Sequence, residues 1–337
     1  MKDFLRNIFL HKNITNNSTT TIIDNTANDG IEYTWEYVKN NVLTQKPQII
    51  NIDDISHETN GTLQIVAPTT KFESVLIPSK KKKLYVFLSG YNIGDNYPTY
   101  SRISWCDKFE GFKLFMDDPT RIEKKFSPSY FFGNKDHNYL EYVKQIINKI
   151  ASVNKISWKN IVFVASSSCG FASLYLADYF LGSKCIALNP QIDLRLLVGR
   201  SFARTMEIDI NDAMYFDRVN VIRFKKNKKS KFFIFWNLTA NMDTTQAKLI
   251  FKSDTIPTGL TTFGKNIQVL CENIQAVEPH MAQPSEYFVR TIETCMDKKI
   301  TPLTIQLYDS FVGEMKRFFW RGIEINKLKK QIADSAQ

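Results

Sequence analysis

The chain has 337 residues, 43% of them apolar and 13% aromatic, enough to bury one large core or two small ones. Its 44 lysines and arginines outnumber 34 aspartates and glutamates, giving a net charge of +10, and the surplus gathers at residues 79–83 (SKKKK) and 223–231 (RFKKNKKSK). Neither run is interleaved with stacking aromatics or joined to a recognisable binding module, which excludes nucleic acid as a partner; the charge reads as a solvated surface or an attractor of polyanions and lipid headgroups.

At the N-terminus, Phe4, Leu5, Ile8, Phe9 and Leu10 form a short apolar patch broken by Arg6 and Asn7. No small-residue cleavage site follows, so no signal peptide is expected. No later stretch approaches the roughly 18 apolar residues of a membrane span. Cys106, Cys169, Cys185, Cys271 and Cys295 are odd in number and widely spaced, as suits buried thiols in a reducing, cytoplasmic setting.

Residues 1–60 are rich in Asn, Thr, Ser and Asp and read as a polar N-terminal extension. Alternating apolar and polar residues over 60–78 predict a strand pair at a sheet edge. Short apolar runs at 84–90 (LYVFLSG), 112–119 (FKLFMDDP), 161–165 (IVFVA), 184–191 (KCIALNPQ), 231–239 (KFFIFWNLT) and 266–274 (NIQVLCENI) then alternate with helical spacing such as NYLEYVKQIINKIA at 138–151. This rhythm predicts an α/β fold over 61–310, a mostly parallel central sheet with helices on both faces. Residues 192–230 exceed one crossover and hold Arg195, Arg200 and Arg204; they read as an inserted, mobile helical cap. Residues 311–337 contain a basic amphipathic helix suited to packing, with a membrane-surface or partner contact as the alternative.

The stretch 161–170 (IVFVASSSCG) turns from a buried strand straight into a helix. A nucleophilic serine on such an elbow requires small residues two before and two after it. Ser166 and Gly170 hold those positions around Ser168, which makes Ser168 the candidate nucleophile and the Cys169 N–H an oxyanion donor. Ser166 and Ser167 then read as turn and capping residues, and Cys169 as a structural thiol. A base and an acid should follow on loops after later strands. His280 follows the run ending at Ile274, and Asp243 follows the run 232–236; Asp193 and Glu278 are rival acids. No Cys or His pair has metal-ligand spacing, so no bound metal is expected.

Strand, serine elbow, acid and histidine in this order resemble the α/β-hydrolase superfamily over about residues 60–300. LSGYN, YSRISW, SSSCGFASL and ALNPQ are similar to motifs of serine-dependent proteins from bacterial capsule and surface-polysaccharide gene clusters, some of them polysaccharide O-acetyltransferases. The resemblance implies a second oxyanion donor from the backbone of Gly90 or Tyr91. It implies an acyl-serine intermediate resolved by water or a sugar hydroxyl, with no bound cofactor and acetyl-coenzyme A as co-substrate. Arg102 and Trp105, together with Arg195 and Arg204 of the cap, become candidates to face an anionic polysaccharide or oligosaccharide. Capsule-assembly proteins and the inner membrane surface are the implied contacts. The alternative expectation is a hydrolase-fold protein that binds polysaccharide or scaffolds capsule assembly without chemistry.

Overall fold

The computed structural model describes residues 30–89, 97–196, 199–275, 280 and 286–296. Among these, one sheet is built from β1 (Gln48–Asn51), β2 (Gly61–Val66), β3 (Lys71–Ile77), β4 (Leu84–Leu88), β5 (Phe112–Met116), β6 (Ile161–Ser166), β7 (Lys184–Leu188), β8 (Lys231–Asn237), β9 (Gly259–Phe263) and β10 (Ile267–Glu272). The spatial order is β1-β2-β3-β5-β4-β6-β7-β8-β10-β9. The run from β5 through β4, β6, β7 and β8 to β10 is parallel throughout. Antiparallel pairing is confined to β3 with its two neighbours and to β9 with β10.

Strands covered on both faces require apolar side chains at successive positions, and every residue of β4, β5 and β7 is buried. On one face lie Leu84, Val86, Phe163, Ala165, Ile234 and Trp236; on the other, Tyr85, Phe87, Val162, Val164, Phe233 and Phe235. Helices cover both: α1 (Pro119–Glu123), α2 (Tyr139–Val153), α3 (Ser167–Tyr179), α4 (Gly199–Met206), α5 (Asn241–Phe251) and α6 (Glu286–Met296). The first face takes α2, through Leu140, Val143, Ile147 and Ile150 at helical spacing, together with α3 and α5. Lying across the second face, α6 sets Phe288 edge-on to Phe233 at 5.9 Å. Its Glu293 accepts from the Tyr85 hydroxyl at 2.7 Å and pairs with Lys83.

β4 has β5 on one side and β6 on the other, so successive crossovers leave it in opposite directions. A crevice opens at such a switch point, beyond the carboxyl ends of the strands. The turns after β4 and β6 meet there.

Three expectations are corrected. The sheet begins at Gln48, inside the stretch read as an extension, and Tyr33, Val38 and Val42 are buried on its second face. The β2–β3 hairpin is interior, flanked by β1 and β5, and the edges belong to β1 and β9. The cap at 192–230 is helical, comprising α4 and short turns at Ala213–Tyr215, Phe216–Val219 and Ile222–Lys226, but it is fastened where mobility was expected. Arg218 donates to the carbonyls of Phe132 at 2.7 Å and Asn134 at 2.6 Å and lies over the Phe132 ring at 3.9 Å. Arg223 bridges Asp178 at 3.0 Å and Asp217 at 2.8 Å, and Phe202 is sealed among Phe126, Tyr130 and Phe132. The basic helix expected at 311–337 lies outside the described residues. Among those described, no helix is long and apolar enough to cross a membrane.

Candidate active site

β6 ends at Ser166 in extended conformation, and α3 begins at the next residue. Ser167 carries φ +54°, the left-handed region that costs an ordinary side chain of order 1 kcal/mol or more. That conformation reverses the chain within one residue and projects the hydroxyl over the carboxyl end of the sheet. Ser168, about 100° further round the helix, is turned into the interior and is 1% exposed. The serine that reaches the crevice is therefore Ser167, where the sequence pattern had pointed to Ser168. Its small neighbours are Ala165 and Cys169 rather than Ser166 and Gly170. Gly170 is small for a different reason: a Cβ there would stand 2.7 Å from the Pro190 Cβ, where α3 crosses the turn after β7.

The Ser167 Oγ lies 2.7 Å from His280 Nε2, and His280 Nδ1 lies 2.8 Å from Asp243 Oδ1. An ionised carboxylate only accepts, so Nδ1 carries the proton and Nε2 accepts the serine hydroxyl. Asp243 stands in the first turn of α5 and is fully buried. Burial pushes its carboxyl above the usual range, while the hydrogen bond from His280 pulls it back; the helix N-terminus also favours its charge. Among the described residues its Oδ2 has no donor, so the imidazole is the carboxylate's one strong partner.

The two loops that bring acid and histidine together are tied by asparagines. Asn189, the residue after β7, has φ +48° and donates from Nδ2 to the His280 carbonyl at 2.7 Å, while its Oδ1 accepts from Asn237 N at 3.0 Å. Asn237, at the end of β8, donates to the Ile274 carbonyl at 2.8 Å and accepts from Ile274 N at 2.9 Å. The rival acid Asp193 is engaged elsewhere, accepting from Arg195 Nε at 2.8 Å and Asn220 Nδ2 at 2.7 Å. It fastens the cap to the turn after β7. Glu278 lies outside the described residues.

With Ser167 in the elbow, the following N–H is that of Ser168 and not of Cys169. It belongs to the first turn of α3, where backbone donors have no intrahelical acceptor. The Cys169 thiol is buried and donates to the Ser89 carbonyl; burial raises its pKa well above the usual thiol value, as befits a structural group. Gly90 and Tyr91 lie outside the described residues. Just before them, the Ser89 Oγ accepts from Ser101 N at 2.9 Å. Asp117 Oδ2 accepts from Thr99 N and from Arg121 Nη2, each at 2.6 Å.

This bracing carries Arg102 to the elbow. Its Nη2 donates to Ser166 Oγ at 3.0 Å, its guanidinium lies 5.2 Å from the centre of the Trp105 ring, and burial lowers its pKa to about 10. Arg195 and Arg204 do not join this cluster. With Arg200, Ile208, Asp209 and Asn211 they line an open cavity of about 530 Å³ in the cap, whose lining includes neither Ser167 nor His280. Sequence reasoning missed Asn189, and Gln191 two residues on, whose Nε2 stands 3.4 Å from Ser167 Oγ. Both fall within the quoted ALNPQ, immediately after a strand end.

No protein-family model matches the sequence, and no curated protein is similar to it in sequence. Solved structures do match. The capsule O-acetyltransferase of Neisseria meningitidis serogroup A superposes with a TM-score of 0.53 at 14% identity, covering 73% of this chain and 99% of that one. A mutant of that enzyme in complex with CoA gives 0.50 at 14%, covering 72% and 99%. An acetyl xylan esterase from Paenibacillus gives 0.47 at 12%, covering 79% and 93%. At 14% identity the two superpositions of the capsule O-acetyltransferase speak to the fold alone, an α/β-hydrolase-like arrangement with a mostly parallel sheet.

Proposed function

We propose that the protein is a serine acyltransferase or esterase that carries an acetyl group as an ester on Ser167 and delivers it to a capsular or surface polysaccharide. The observation that carries this reading is the hydrogen-bonded series Ser167 Oγ, His280 and Asp243, at 2.7 and 2.8 Å, on a positive-φ elbow at the switch point of the sheet.

In this mechanism His280 Nε2 takes the Ser167 proton as Oγ attacks the acetyl carbonyl, and Asp243 steadies the resulting imidazolium. The tetrahedral oxyanion draws on the Ser168 N–H, with Gly90 or Tyr91 as the second donor. Collapse expels the donor's thiolate or alkoxide, which leaves with the proton from His280. Water or a sugar hydroxyl then gives its proton to His280, attacks the acyl-serine and releases Ser167. Acetyl-coenzyme A is the proposed donor, in keeping with the CoA complex of the structural neighbour. Arg200 and Arg204, exposed on the cap, together with the lysine runs would attract a phosphate-bearing donor and an acidic polymer. The cytoplasm, or the inner face of the membrane among capsule-assembly proteins, is the proposed setting.

The test is to incubate purified protein with radiolabelled acetyl-coenzyme A, with and without capsule oligosaccharides. Label should appear on the protein at Ser167 and pass to the oligosaccharide. Protein that never takes up label from acetyl-coenzyme A or from an activated acetyl ester would end the proposal.

A further inference from the structure

Gln191, in the turn after β7, is 2% exposed, yet neither end of its carboxamide has a full-strength partner. Its Nε2 lies 3.4 Å from Ser167 Oγ, long for a hydrogen bond between nitrogen and oxygen, and 3.7 Å from Met242 Sδ, a weak acceptor. Among the described residues its Oε1 has no donor. An amide end buried without a partner is destabilising, and the position is not slack. The preceding Pro190 packs on Gly170 and its carbonyl accepts from Trp236 Nε1 at 3.1 Å. Ser167 already gives its hydroxyl proton to His280, so its oxygen needs a donor and the amide nitrogen is the end that faces it.

We infer that Gln191 reads a vicinal diol in the acceptor, deepening the proposed function, on which the inference rests. Gln191 Nε2 and His280 Nε2 flank the same point, the Ser167 oxygen. An acceptor hydroxyl entering beside the acyl-serine donates its proton to His280 Nε2 and accepts from Gln191 Nε2. Its oxygen forms the new bond to the acetyl carbon, the bond from that carbon to Ser167 Oγ breaks, and the proton passes from His280 to Ser167. On the adjacent carbon, a second hydroxyl donates to Gln191 Oε1. Donor and acceptor, side by side in one planar amide, match neighbouring hydroxyls and have no such match in water or a simple alcohol. The substrate class is a polyol with adjacent free hydroxyls, as in a sugar ring.

The experiment acetylates the full chain with p-nitrophenyl acetate and measures how the acetyl-enzyme divides between water, cyclohexanol and trans-1,2-cyclohexanediol at equal alcohol concentrations. Partition is read on the acetyl-enzyme that forms and is independent of how fast it forms. Wild type should favour the diol over cyclohexanol by about tenfold, the value of one good hydrogen bond. Gln191→Met, of similar shape, should bring the ratio to about 2, the statistical factor for two hydroxyls, and Gln191→Glu, which keeps an acceptor but loses the donor, should lower transfer to both alcohols relative to water. A wild-type ratio near 2, or a ratio unchanged in Gln191→Met, overturns the inference while leaving the acyl-serine intact. Absence of any acetyl-enzyme in wild type overturns the acyl-serine reading and the inference with it. Should Gln191→Met not fold by circular dichroism, Gln191→Glu and the wild-type ratio decide.

Discussion

The Ser167 Oγ and the His280 Nε2 are 2.7 Å apart across 113 residues of chain, while Ser168 is packed away beneath the same turn. A serine-directed fluorophosphonate probe should therefore label wild type and fail on Ser167→Ala. Ser168→Ala keeps the backbone N–H and only shortens a buried side chain, so it should still label. Mass spectrometry of the tryptic adduct decides between them; an adduct on residue 168, with labelling that survives Ser167→Ala, would refute the assignment.

The two carboxylates that compete for the histidine have different partners and should respond differently. Asp243→Asn leaves the geometry of α5 in place but replaces an acceptor-only carboxylate with a neutral amide that can also donate, so the tautomer of His280 is no longer fixed; under the proposed mechanism turnover should fall by about 10⁴-fold. Asp193→Asn instead disturbs the ion pair with Arg195 and the bond from Asn220. Its effect should appear in thermal unfolding, at about 1–3 kcal/mol, with turnover lowered by less than about tenfold. Steady-state kinetics and melting curves on both variants give the answer, and a larger catalytic loss in Asp193→Asn would reverse the roles.

The central parallel strands β4 to β8 and β10 were legible in the sequence because each is dominated by apolar residues, and His280 and Asp243 because each follows such a run. What was not legible has local physical causes. β1 buries one of its four side chains, too few to leave a periodic signal, and β9 is half-exposed along its length. The choice among Ser166, Ser167 and Ser168 turns on which residue adopts positive φ. Three identical side chains carry no information about that. Gly170 pointed the wrong way because its small size serves contact with Pro190. Asn189 and Gln191 are ordinary loop residues by composition; only the folded chain sets one against the His280 carbonyl and the other against the Ser167 hydroxyl.

Asn189 touches the His280 backbone rather than any reacting group and should behave as a positioning residue. Asn189→Gly keeps the left-handed backbone and removes the carboxamide; Asn189→Asp keeps an acceptor for Asn237 N but has no donor for the His280 carbonyl. Both should lower kcat by roughly tenfold to a hundredfold with KM little changed, as expected when a catalytic group loses its alignment. A purely structural asparagine would lower the melting temperature and leave kcat of the folded fraction unchanged, and that result would remove Asn189 from the mechanism.

Behind the loop that carries Arg102, Asp118 caps α1 by accepting from Thr120 N at 3.0 Å and also accepts from Ser129 Oγ at 2.7 Å and Phe131 N. Burial raises its pKa from 3.8 to about 6 despite these donors. With the folded value above the unfolded one, the native state holds a proton between about pH 4 and pH 6 that the unfolded chain has released. Stability from this group is therefore complete below about pH 4 and is lost as pH rises through about 6, by an amount on the order of 3 kcal/mol. In Asp118→Asn the group no longer titrates, and the amide sets a donor against the Phe131 N–H. Urea unfolding of both proteins should show the wild-type advantage shrinking from pH 4 to pH 6 and level above about pH 7. An advantage that is constant or grows across that interval would show that the Asp118 carboxyl titrates in its ordinary range, with its donors outweighing its burial.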